Sequence, residues 1–252
     1  MNEPIPPQGA QTALRAVSIL ESFTLENPSL SLSEVSEAVG LAPSTVHRLL
    51  RALQSRDLVV VNEASKKYVL GVGVMRLARS ILNKNGLTLL ARPGMERLRT
   101  ATSETVSLQI VLGERRVAIA ELVSPHAIQM SSGIGEPYPI HLGSAGKSML
   151  AFFPAKKRFR FVTASADPAA LQLDLEGVRK RGYAVSAGEV VSGAAAIAAP
   201  VFDAEGAVFA CINVTGPAER FSTDLVQETA KELLAVTTAL SADLAAGASS
   251  NP

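Results

Sequence analysis

The spacing of apolar residues changes character twice along the chain. From residue 11 to about 57 it is helical, with apolar side chains recurring three and four positions apart. A short hairpin pattern follows to Gly71. Helical spacing returns from Gly73 to about Thr102, with breaks expected at Gly86 and Pro93. Beyond Thr102 alternation takes over. ETVSLQIVLGERRVAIAELV reads as two strands about a turn at Gly113-Glu114-Arg115, and AAAIAAPVFDAEGAVFACINVTG as two more about Asp203-Ala204-Glu205-Gly206. Helices are expected near 144–153, 168–181 and 222–245. The last opens on Ser222 as N-cap and aligns Leu233, Val236, Leu240 and Leu244 on one face. The pattern predicts an α+β chain. A disordered tail covers 1–10, a helix-turn-helix with hairpin 11–71, a linker helix 72–90, and an antiparallel-sheet domain 91–246.

Within the first region, LSLSEVSEAVGLAPSTVHRLLRAL carries the local chemistry of two short helices. Ser31 or Ser33 can cap the first, and Gly40 can end it in a left-handed conformation. Pro43 suits the first turn of the second helix, or Ser44 caps it. Two helices joined by a turn of three or four residues containing glycine form a helix-turn-helix. On the second helix Val46, Leu49, Leu50 and Leu53 share one side, while Ser44, His47, Arg48, Arg51 and Ser55 share the other. Hydroxyls and cations on one helical face are the groups that contact phosphates and guanine edges. Arg48 has a second option, an ion pair with Glu34 or Glu37. The hairpin that follows puts Lys66 and Lys67 near its tip, as a wing would.

Charge and composition narrow the classes. The chain has 252 residues, 47% of them hydrophobic, and a net charge of +1. No global field points to nucleic acid or membrane. Locally, residues 42 to 70 hold five basic residues against two acidic, an excess of +3 on the hairpin and second helix. One cysteine, Cys211, excludes a disulfide framework, and it is expected in the core of a cytoplasmic protein. The opening MNEPIPPQGAQ lacks the basic and apolar pattern of a signal peptide, and apolar runs are too short to span a membrane. Three histidines, His47, His126 and His141, make no metal-ligand spacing and partner no nucleophile. No metal, cofactor or catalytic residue is therefore expected.

The stretch HLGSAGKSML invites a nucleotide reading. A phosphate-binding loop needs glycine five residues before the glycine of its GK[ST] ending. Five before Gly146 is His141, and Gly143 leaves only Ser144 and Ala145 between. The loop is too short for a triphosphate. What survives is a helix start in small residues, whose N–H groups and dipole attract small anions.

Taken in order, these motifs resemble the IclR family of transcription regulators. ALRAVSILESF, LSEVSEAVGLAPSTVHRLLRAL and YVLG carry the likeness in the first half. PIHLGSAGKSMLAFFP, RKRGYAVSAGEVVSGAAAIAAPVFDAEG and CINVTGPAERFS carry it in the second. The resemblance implies a winged helix-turn-helix, a linker helix and a GAF/PAS-like effector domain, in a homodimer or homotetramer that binds operator DNA. It implies a small organic acid or aromatic effector in a pocket bordered by the GSAGKS loop, with the backbone of Ser144 and Ala145 facing the ligand. Ser186, Ala196, Asn213 and Thr215 match further pocket positions, with Met130 and Tyr138 as wall. The DNA contacts it implies are Ser44, Thr45, His47, Arg48, Arg51, Lys66 and Lys67. The family often has an acid where Ser186 stands, a cysteine or other polar residue at Ala196 and a serine at Asn213. A less charged, more apolar pocket is therefore expected. Lys147 is read as a solvated or structural cation, and Glu189 as the partner of Arg179 or Arg181. Two alternatives stay open: a DNA-binding regulator with no small-molecule ligand, and a nucleotide-binding enzyme using residues 143–148.

Overall fold

A computed structural model describes residues 10–82 and 86–249, and the chain divides into two compact units, 1–84 and 85–252. Most of the tail expected over residues 1–10 lies outside the described residues.

In the first unit, α1 (Ala10–Glu21), α2 (Leu32–Val39) and α3 (Pro43–Gln54) pack around Ile19, Val35, Val46, Leu49, Leu50 and Leu53. The helix boundaries follow from local chemistry. The Ser31 hydroxyl accepts from the Glu34 N–H, and the Glu34 carboxylate accepts from the Ser31 N–H, a reciprocal capping box. Gly40 ends α2 at φ 65°, and Pro43 opens α3. The wing is a three-stranded sheet of order β1-β3-β2, from β1 (Ser29–Leu30), β2 (Val59–Val61) and β3 (Tyr68–Leu70). Helix α4 (Val72–Leu82) completes the unit, held by an ion pair between Arg76 and Asp57 at 3.2 Å. Residues 72–90 thus contain α4 and the start of a second helix, α5 (Leu87–Thr102), which Gly86 caps at φ 66°.

The break expected at Pro93 does not occur, because α5 runs through it. Proline removes the donor that the Leu89 carbonyl would receive. Leu89 is exposed, so water can serve that carbonyl instead.

The second unit is built on an antiparallel sheet of order β6-β5-β4-β9-β8-β7. Its strands are β4 (Thr105–Leu112), β5 (Arg115–Leu122), β6 (Pro137–Pro139), β7 (Ala184–Ala187), β8 (Ala194–Phe202) and β9 (Val208–Pro217). Side chains alternate between its faces. Val106, Leu108, Ile197, Ile212 and Val214 pack beneath α5 and the long carboxy-terminal helix α9 (Thr223–Ser249), whose Leu233, Val236, Leu240 and Leu244 join the same core. As expected, Ser222 caps α9, its hydroxyl accepting from the Leu225 N–H at 3.2 Å. The other face meets α6 (Gly143–Leu150), α7 (Ala155–Thr163) and α8 (Pro168–Arg181). There Ala198 and Cys211 join the core formed by Met149, Leu150 and Leu175. Burial pushes the Cys211 thiol up to about 12, so it stays a neutral core group. Toward one end, this face turns polar at Ser107, Gln109, Asn213 and Thr215, and a cavity opens.

Candidate functional site

Two surfaces carry chemistry, one in each unit. On α3 the buried side is wholly apolar, and Ser44, His47, Arg48 and Arg51 are exposed on the other side with Thr45 half-buried. Among the described residues, no ion pair joins Arg48 to Glu34 or Glu37. Glu34 is instead paired with Lys67 at 3.0 Å. The Ser31 N–H and the Lys67 ammonium hold its carboxyl down at about 2. Lys66 at the wing tip pairs with Glu63 at 3.0 Å. Both wing lysines therefore carry an internal counter-charge, in geometry too exposed to hold them firmly, while the arginines of α3 present theirs outward.

The cavity of the second unit measures about 140 Å³. Met130, Tyr138, Ser144, Ala145, Ser186, Ala196, Asn213 and Thr215 all line it, although they come from four strands, a helix and a loop. The positions join because β7, β8 and β9 are adjacent. Ser186 stands opposite Ala196, and Ala196 opposite Thr215. Val190, Val191 and Ala194 add an apolar wall.

At the start of α6, two of the first N–H groups already have acceptors. Gly143 donates to Glu189 Oε2 at 3.1 Å, and Ser144 donates to Ser186 Oγ at 2.9 Å. The Ser144 hydroxyl donates to Asn213 Oδ1 at 2.9 Å, and Asn213 Nδ2 to Thr215 Oγ1 at 2.5 Å. The N-cap residue, Leu142, has no side-chain acceptor for the third N–H, that of Ala145. A polar ladder thus fixes the helix start and leaves the Ala145 amide as the donor without a side-chain cap.

One reading of charge needs correction. Glu189 pairs with neither Arg179 nor Arg181. Its carboxylate binds Lys147 at 2.6 Å, and Lys147 also binds Asp174 at 2.8 Å. Arg179 donates to the Ala151 carbonyl, and Arg181 reaches Asp174 at 3.5 Å. Lys147 is the structural cation, with its side chain only 11% exposed.

The pocket also holds a charge that sequence reading did not place there: Arg116 of β5 lines it while only 4% exposed. Its Nη1 donates to Gln109 Oε1 at 2.5 Å and its Nη2 to the Leu142 carbonyl at 3.5 Å. The guanidinium lies over the Tyr138 ring at 4.9 Å. Its Nε is buried with no acceptor, and none of its partners is a carboxylate among the described residues. Burial pulls its pKa downward, although an arginine stays charged. Sequence reading missed Arg116 because ERR beside a turn looks like solvated charge. Strand alternation sends Arg115 outward and Arg116 inward, opposite Val111 of β4 and Tyr138 of β6.

Among the described residues no helix is long and apolar enough to cross a membrane, and no group of acidic, histidine or cysteine side chains could hold a metal. Comparison with known proteins gives two family matches. Residues 12–63 match the IclR helix-turn-helix domain, and residues 79–242 match the bacterial transcriptional regulator IclR C-terminal domain. The HTH-type transcriptional repressor AllR of Escherichia coli K12 is 30% identical over 248 residues, covering 92% of each chain. The crystal structure of Thermotoga maritima IclR superposes with a TM-score of 0.80 at 26% identity, covering 93% of this chain and 99% of that one. An IclR homolog from Microbacterium hydrocarbonoxydans, complexed with 4-hydroxybenzoate, has a TM-score of 0.74 at 23% identity, covering 92% and 99%.

Proposed function

The chain belongs to the IclR family of bacterial transcriptional regulators, and from this premise we propose a one-component regulator that binds operator DNA with α3 and the wing and answers to a small organic acid in the sheet-domain cavity. The observation that carries the DNA reading is the division of α3. Val46, Leu49, Leu50 and Leu53 are buried, and the opposite face presents hydroxyls, an imidazole and two outward arginines. The DNA contacts are Ser44, Thr45, His47, Arg48, Arg51, Lys66 and Lys67. The effector contacts are the eight cavity residues named above. The protein works in the cytoplasm, where its operator is, and catalyses no reaction.

Arg51 tests the assignment. DNA fragments enriched from a random pool by the wild type supply the operator. Arg51→Ala is expected to bind them more weakly by about 1–3 kcal/mol, the worth of a bidentate base contact, and to bind unselected DNA nearly as before. An equal loss on both kinds of DNA assigns Arg51 to a phosphate. Unchanged operator affinity refutes the reading of α3.

A single winged helix reads too few base pairs for genomic specificity, so a homodimer or homotetramer is expected. On α4 Leu77 is exposed, and Val74 and Ala78 are half-buried. The side chains of Ile81 and Leu82, which extend this stripe in sequence, lie outside the described residues. Light scattering at micromolar concentration should give at least twice the 26.4 kDa chain mass; a monomer refutes this part.

A further inference from the structure

The resemblance accounts for the start of α6 as a ligand site, but it does not account for Arg116. A guanidinium taken out of water costs free energy unless a counter-charge or a full set of acceptors meets it. Here it has one close neutral acceptor, a second at 3.5 Å, an aromatic face and a bare Nε. Glu189, the carboxylate on the same cavity wall, is already committed to Lys147 and the Gly143 N–H.

The surroundings add to the local positive potential. Arg116 Nη2 lies 3.4 Å from where a Cβ on Gly143 would stand, and Nε lies 3.4 Å from the corresponding point on Gly146. The guanidinium thus packs against the first turn of α6, beside the uncapped Ala145 amide. A buried cation and the positive end of a helix dipole then share one corner of the cavity. Away from that corner Met130, Val190, Val191 and Ala194 give the cavity an apolar stretch of wall. The cavity volume, about 140 Å³, is close to the roughly 150 Å³ that holds one benzene ring.

We infer that Arg116 is the specificity-determining charge partner of the effector, which is a carboxylate attached to an apolar body of about one ring. The inference rests on the effector reading of the cavity given above and names its ligand class. The carboxylate bridges the Arg116 guanidinium and the Ala145 N–H. The body lies along Met130, Val190 and Val191. Gln109 keeps the guanidinium in place, its own Nε2 tied to Ser107 Oγ at 3.0 Å.

The probes are benzoate and its neutral isostere benzamide, used with the full chain in a buffer free of phosphate. Thermal melting and calorimetric titration are read on wild type, Arg116→Met and Arg116→Lys. Wild type is expected to bind benzoate at least about tenfold more tightly than benzamide, since a charge-assisted contact is lost in the amide. Arg116→Met should lose that preference and melt no lower than wild type in the absence of benzoate, because it removes an uncompensated buried charge. Arg116→Lys should keep part of the preference. Wild type that binds acid and amide equally overturns the role of Arg116 and leaves the cavity a ligand site. So does an Arg116→Met protein that melts lower alone and still prefers the acid, which would make Arg116 structural. Wild type stabilised by neither probe overturns the cavity reading and this inference together.

Discussion

Lys147→Met is expected to lower the melting temperature of the sheet domain by about 5–10 °C. Removing one partner of a buried ion pair strands the other, at about 3–5 kcal/mol. Lys147 has two partners, Asp174 and Glu189, but their side chains are 30% and 29% exposed, and water will recover part of the loss. About 2–3 kcal/mol remains, and a domain of this size shifts by roughly 2–4 °C per kcal/mol. The pH dependence separates charge from packing. Burial alone would lower the Lys147 pKa, yet the hydrogen bonds to Asp174 and Glu189 outweigh it and hold the ammonium above the ordinary lysine value. A raised folded pKa means that the stabilisation is fully present below the unfolded value and fades as pH rises through the folded one. The gap between wild type and variant should therefore be constant through neutral pH and close only in strongly alkaline solution. A gap that is absent at pH 7, or that persists unchanged at the alkaline end, shows that the Lys147 stem matters and its charge does not. The variant has a second reading at the cavity mouth. Glu189 loses the cation that holds it near Gly143, so the 188–193 turn beside the cavity should gain hydrogen exchange.

What the sequence made legible is what local rules govern. The buried face of α3 followed from the helical period of Val46, Leu49, Leu50 and Leu53. Its start and the end of α2 followed from Pro43 and Gly40, residues with few conformational options. The eight cavity positions came from a family resemblance, and their meeting on one wall depends on strand order that no local pattern states. Arg116 shows where local reading stops. Its burial depends on the pairing of β5 with β6, a three-residue strand with proline at both ends that carries almost no strand signal. The Glu189–Lys147 pair spans 42 residues of sequence. Arg179 and Arg181 were nearer along the chain, and proximity in sequence misled. Pro93 failed as a break for a complementary reason: a local rule met a helix whose tertiary packing against α9 outweighs one lost hydrogen bond.

Gly146→Ala should be among the most damaging single-methyl additions available in this chain. A Cβ at Gly146 would stand 2.2 Å from the Ile140 carbonyl oxygen and 2.8 Å from its carbon. Both obstacles are backbone, and Ile140 is itself fully buried, so neither can rotate away. Overpacking usually costs about 1–3 kcal/mol, and an immovable neighbour puts this case at or above the upper end. The same methyl would only touch Arg116 Nε, at 3.4 Å, so the clash lies with Ile140 alone. A control makes the same chemical change where space is free. Gly247 lies in α9 with nothing within 4 Å of the added carbon, and alanine there should stabilise by up to about 1 kcal/mol through helix propensity. The comparison also decides what GSAGKS is for. If the segment cradled a nucleotide, Gly146→Ala would fold normally and lose a thermal shift with ATP or GTP that the wild type shows. If Gly146 exists so that α6 can start against Ile140 and beneath a buried guanidinium, neither nucleotide will shift the wild type. The variant will then melt well below it while Gly247→Ala does not. Denaturant melts of the three proteins, with and without nucleotide, separate the two, and a Gly146→Ala protein as stable as wild type removes the packing explanation.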